Sequence, residues 1–96
     1  MVANGNAGSL HTKKAWSVTE RELREEFRLW RIKDYRIPRA RDTAVGRPVT
    51  VEFWPPGAKT MTQVTCGNFP DPRVNLRAIL QAVEAVRKMD QQRRSQ

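Results

Sequence analysis

Val49, Val51 and Phe53 alternate with Thr50, Glu52 and Trp54, and a second β-branched run returns over residues 60–66. A strand sends successive side chains to opposite faces, so this alternation gives one apolar face and one wet face. Between the runs stands Pro55-Pro56-Gly57. Proline presets φ for a turn, and glycine supplies a positive φ if the turn is type II. The pattern predicts a hairpin around 48–66. No other stretch constrains the fold as much, because a lone hairpin is barely stable in water and needs a covering layer.

Two helical stretches can supply that layer. Leu23, Phe27 and Trp30 recur at i, i+4, i+7 and make an apolar stripe on a helix expected at roughly 18–32. Ser17 with Glu20, or Thr19 with Glu22, has the spacing of a capping box at its start. Asp71-Pro72 begins the second helix, with aspartate as cap and proline in the first helical position. Leu76, Ile79, Leu80, Val83 and Val86 then trace its apolar face. Tyr35-Arg36-Ile37, halted by Pro38, reads as a short edge strand, and Arg39 to Gly46 as a polar loop.

The order is α-β-β-β-α, an α+β fold of two layers. A three-stranded antiparallel sheet carries both helices on one face. The expected core is Leu23, Phe27, Trp30, Ile37, Val49, Val51, Phe53, Val64, Leu76, Ile79, Leu80, Val83 and Val86. Ninety-six residues suffice for one such domain. Its expected limits are 16–90, with a flexible tail over 1–15 and a frayed end over 91–96. The tail is rich in Gly, Asn, Ala and Ser, too poor in bulky apolar groups to offset its ordering entropy.

Residues for chemistry are scarce. His11 is the single histidine, in the expected tail, and Cys66 is the single cysteine, on a strand. Neither has the partner that a nucleophile or general base requires, so Cys66 reads as a small packed side chain. One cysteine forms no internal disulfide and suits a reducing cytoplasm. No Cys/His cluster suggests a metal, no glycine-rich loop suggests a phosphate cofactor, and no apolar run approaches the ~20 residues of a membrane span. The expectation is a cytoplasmic chain with no enzymatic activity, no cofactor, no metal and no membrane partner.

Charge is the remaining signal. Lys and Arg number 18 against 10 Asp and Glu, a net charge of +8. The excess falls in the 35–48 region and the C-terminal third. Arg36, Arg39, Arg41 and Arg47 bracket the first loop, and Arg73 and Arg77 share the first turns of the second helix. Guanidinium groups grip phosphate in bidentate fashion and stay charged at any physiological pH. The six are therefore candidates to hold a nucleic-acid backbone, mainly by electrostatics. An ordinary solvated basic surface is the other reading. Trp54, Pro55 and Pro56 at the hairpin tip form a second candidate, a protein interface anchored by an exposed tryptophan. Trp54 could equally stack on a base or simply cover Pro55.

Two resemblances add to this. The α-β-β-β-α order is similar to the double-stranded-RNA-binding domain, without its motifs: Asp71-Pro72-Arg73-Val74-Asn75 stands where that family has a lysine cluster, and its Gly-Pro-x-His loop is missing. That likeness implies contacts from helix 1, the 39–47 loop, Arg73 and Arg77. The runs Val49 to Trp54, Thr65-Cys66, Asn75 to Ile79 and Glu84 to Arg87 resemble a small bacterial module found alone or ahead of a J-domain in chaperone-like proteins. It implies one compact domain over about residues 16–90 and a partner-binding role, with no active site. The combined expectation is an accessory module, of the kind a phage or mobile element carries, that binds nucleic acid or an acidic protein surface.

Overall fold

A computed structural model describes residues 14–94 of the chain. Helix α1 spans Trp16–Leu29, strand β1 Tyr35–Arg36, β2 Val49–Phe53, β3 Thr62–Cys66, and helix α2 Pro72–Arg94. A single 3-10 turn, Ala40–Asp42, interrupts the loop between β1 and β2. The three strands form one antiparallel sheet in the order β1-β2-β3. This is the expected α+β fold. The expected tail and His11 fall outside the described residues, apart from Lys14 and Ala15.

The hairpin forms because its pattern leaves few alternatives. Val49, Val51 and Phe53 are almost fully buried, while Thr50 and Glu52 face the wet side. Val51 pairs with Val64 and Phe53 with Thr62. Across the wet face the Thr50 and Thr65 hydroxyls bond at 2.8 Å, and Gln63 Nε2 donates to Glu52 Oε2 at 2.9 Å. At the tip the Ala58 N–H donates to the Pro55 carbonyl, and Gly57 has φ of 77°. Proline followed by a left-handed glycine is the type II signature.

Both helices cover the opposite face. Leu23, Phe27 and Trp30 from α1 meet Leu76, Ile79, Leu80 and Val83 from α2 over the β2 valines. The Phe53 ring is tilted against Phe27 and Trp30, with centroids 5.2 and 5.4 Å apart. Trp16, Ile32 and Val74 join this core, whereas Val86 stays nearly half exposed. Val86 borders a surface hollow shared with Phe53 and Thr62 in place of packing into the core.

Three helix boundaries differ from expectation. Helix α1 begins at Trp16 after Ala15, with no side-chain cap, because the Thr19 hydroxyl is buried between the helices and accepts from Arg77 Nη1 at 3.4 Å. Burying the Trp16 ring fixes this start in place of a capping bond. At the other end α1 stops at Leu29, not 32. Helix α2 runs on to Arg94, through the stretch expected to fray: Gln91 Nε2 donates to the Leu29 carbonyl, and Arg94 Nη2 to the Pro56 carbonyl. The start of α2 matches, since Asp71 Oδ1 accepts the Arg73 N–H at 2.9 Å.

Candidate nucleic-acid interface

The α1 terminus builds the first wall of the site. The Ile32 N–H donates to the Phe27 carbonyl and the Arg31 N–H to the Arg28 carbonyl, while Arg31 itself adopts φ of 63°. This is a Schellman motif, closed by the buried Ile32 five residues beyond Phe27. Such motifs usually place glycine in the left-handed position, because a Cβ there costs roughly 1–2 kcal/mol. Here the position is an arginine.

The chain then turns through Lys33 and Asp34 into β1, and the Asp34 carbonyl accepts the Trp54 N–H at 3.1 Å. That bond fastens the connector to the end of β2. The hairpin tip supplies the facing wall with Pro55, Ala58 and Met61. Between them lies an open groove of about 830 Å³. Arg31, Lys33 and Arg36 bring three cations to it, against the carboxylates of Asp34 and Glu52. Trp54 also lines it and is 44% exposed.

These cations are loosely held. Arg36 lies 3.5 Å from Glu52 with 82% of its side chain exposed, so the pair is worth little. Arg31 and Lys33 have no carboxylate within ion-pair distance among the described residues. Tyr35, in the same lining, is committed elsewhere: its ring stacks on Phe27 at 4.6 Å, and its hydroxyl accepts from Arg24. The Arg24 guanidinium is pushed above its ordinary pKa by its hydrogen bond to Glu20, and then by the one to Tyr35.

The six arginines selected from the sequence do not form a single cluster. Arg36 stands in the groove, opposite Glu52 near the end of β2. Arg47 precedes the start of β2, in a turn whose Gly46 N–H donates to the Pro70 carbonyl. It is thus at the other end of the sheet, beside the connection to α2. Arg73 is at that end too and chelates Asp71, with Nη2 to Oδ2 at 2.8 Å. Its hydrogen bond to that carboxylate raises its pKa. Arg39 pairs with Asp42 at 3.0 Å. Arg41 is exposed on the 3-10 turn. Arg77 is only 14% exposed, wedged between the helices against Glu22 at 2.8 Å and Thr19.

Arg31 and Lys33 escape a reading of the sequence because a helix carried to residue 32 makes Arg31 one more solvated helix cation and leaves Lys33 just beyond it. The usual marker of a left-handed stop, glycine or asparagine, is missing. The one available signal is Ile32, an apolar residue off the Leu23-Phe27-Trp30 stripe, five after Phe27, as a Schellman motif requires.

Cys66 is engaged structurally. Its Sγ donates to Asn75 Oδ1 at 3.3 Å, and the fully buried Asn75 amide also bonds both the N–H and the carbonyl of Phe69. Among the described residues no three His, Cys, Asp or Glu side chains gather to hold a metal, and no helix is long and apolar enough to cross a membrane.

A second, smaller hollow of about 250 Å³ lies on the other side of Pro55, bordered by Phe53, Val86 and Met89. No family model, curated protein or solved structure matches the chain.

Proposed function

We propose that the chain is a non-catalytic accessory module that holds a nucleic-acid backbone through the cations around Trp54. One observation carries this reading. Arg31 occupies a left-handed backbone position where glycine would serve the turn better, and it lines an open groove with no carboxylate partner among the described residues. Strained backbone tends to persist where the side chain is used. Lys33 and the loosely held Arg36 complete a positive rim. Arg41 and Arg47, exposed and outside the groove, add to the field that draws a polyanion in.

The excess of three cations over two carboxylates is small, so binding is modest, with a salt slope of about −2 if each cation meets one phosphate. Each phosphate contact on a single strand contributes a slope of about −0.7 in log affinity against log salt. Anisotropy titrations of labelled oligonucleotides at about 50 and 200 mM salt test the proposal, with measurable binding expected at the lower value. Absence of binding at low salt removes it.

A second reading has an observation of its own. The small hollow beside Pro55 leaves Val86 and Met89 exposed against Phe53. A protein partner seated on Trp54, Pro55 and Pro56 would cover that apolar edge. A Trp54→Ala variant that stays folded and keeps every partner captured by the parent chain counts against this alternative.

A further inference from the structure

We infer that the groove takes an unpaired nucleotide, with its base stacked on the Trp54 indole and its flanking phosphates on Arg31, Lys33 and Arg36. The inference rests on the nucleic-acid reading above and specifies the strand state that reading leaves open.

Three features favour a single strand over a duplex. The groove volume, about 830 Å³, falls in the range of sites for small molecules, roughly 300–1,000 Å³. A hollow of that size admits one or two splayed nucleotides. The flank of a duplex would instead need cations ranged along a broad face. The sheet does not offer that arrangement, because Arg36 and Arg47 stand at opposite ends of β2, and Arg73 and Arg77 are held by Asp71 and Glu22.

The third feature is the tryptophan. Trp54 is nearly half exposed in the same lining as the cations, and its backbone is pinned by the bond to Asp34. Aromatic platforms within a basic groove are how proteins hold single strands without reading sequence, because every base has a stacking face. Paired bases are already stacked on their neighbours and cannot use the platform.

Intrinsic fluorescence provides a selective readout. Trp16 and Trp30 are buried in the core, so quenching by an added oligonucleotide reports on Trp54. Three probes are titrated into the full chain at low salt: an oligothymidylate, a mixed-sequence DNA duplex of equal length, and inorganic polyphosphate. The expected result is tighter binding and stronger quenching with the single strand than with the duplex. By anisotropy of a labelled oligothymidylate, which needs no indole reporter, Trp54→Ala should weaken the single strand about tenfold and leave the polyphosphate affinity, read by competition, unchanged. Trp54→Phe, which keeps a stacking face, should restore part of the loss and guards against a folding artefact.

Equal affinity for duplex and single strand, or a Trp54→Ala variant that binds the oligothymidylate as the parent does, overturns the stacking inference. In either case continued salt-sensitive binding leaves the backbone reading standing. Failure of all three probes to bind at low salt defeats both.

Discussion

The helix–helix seam and the groove at the hairpin use the same residue type in opposite ways. In the seam, Arg87 meets Glu26 and Arg77 meets Glu22, with the two arginine side chains only 12% and 14% exposed. Each also has a further acceptor, Gln91 for Arg87 and Thr19 for Arg77. These guanidiniums are fully employed in joining α1 to α2. In the groove, Arg31 and Lys33 lack carboxylate partners among the described residues, and Arg36 is almost wholly exposed. Charge visible in a sequence therefore means different things at different places in the fold. A paired, desolvated arginine is architecture, while an unpaired one beside an aromatic is available to a ligand.

The comparison breaks most readily at the seam. Arg87→Ala leaves Glu26 charged and nearly buried with no guanidinium, which should cost roughly 3 kcal/mol or more in folding stability. The double change Glu26→Leu with Arg87→Met removes both charges and keeps the volume, so it should cost far less. Urea midpoints of the two variants check this. If the single change proves as mild as the double, the pair is not architectural. Neither variant touches the groove, so nucleic-acid affinity of the folded protein should be unchanged.

The opposite behaviour is expected of Arg31→Gln, Lys33→Gln and Arg36→Gln combined. No buried partner is stranded, so stability should move by less than about 1 kcal/mol. Binding should fall by at least tenfold, and the salt slope should shrink by about 2 if each cation meets one phosphate. The matched control is Arg39→Gln with Arg73→Gln, whose guanidiniums are tied to Asp42 and Asp71. An equal loss of binding from the control pair would erase the distinction between held and available arginines.

The same distinction explains what the sequence could and could not reveal. Strand β2 was legible because a period of two admits one burial pattern. The Asp71 cap was legible because its bond is local, two residues away. Trp54 follows from that strand register, since its place in the alternation with Thr50 and Glu52 puts it on the wet side. Arg36 stands out in the sequence by charge alone, and its place opposite Glu52 is set by the pairing of β1 with β2. Arg73 and Arg77 were selected on charge, but whether a charge is spent depends on partners that only folding brings near, such as Glu22, 55 residues before Arg77 in the chain. The start of α1 was hidden for a similar reason: Thr19 has the chemistry of a cap, yet burial assigns its hydroxyl to Arg77. The end of α1, and with it Arg31, was hidden because the usual glycine is not there.

Arg31→Gly separates use from fit at a single position. Glycine relieves the left-handed strain but adds freedom to the unfolded chain, so the net gain should be about 0.5–1 kcal/mol. The variant should at once be harder to unfold in urea and weaker in binding at low salt. Stability gained with no loss of binding would mean that the arginine at this turn contributes nothing to the groove.

The smallest effect lies where the two regions meet. Trp30, a core residue, donates its Nε1–H to Asp90 Oδ2 at 2.7 Å, and Arg94 Nε donates to the same oxygen at 2.9 Å. Arg94 in turn reaches the Pro56 carbonyl at the hairpin tip. The Trp30 hydrogen bond, followed by Arg94, holds the Asp90 carboxyl below its ordinary value. A native pKa lower than the unfolded one, about 3.9, means that the ionised form stabilises the fold. That contribution is complete at neutral pH and fades as pH falls below the unfolded value and through the native one. Asp90→Asn keeps an acceptor for the indole but has no charge to lose. Between about pH 6 and about pH 3 the parent should therefore lose more of its urea midpoint than the variant. The bond to Arg94 loosens with protonation, so the contact from α2 to the hairpin tip should weaken over the same range. Identical losses in parent and variant would mean that Asp90 contributes nothing to the acid sensitivity of the fold.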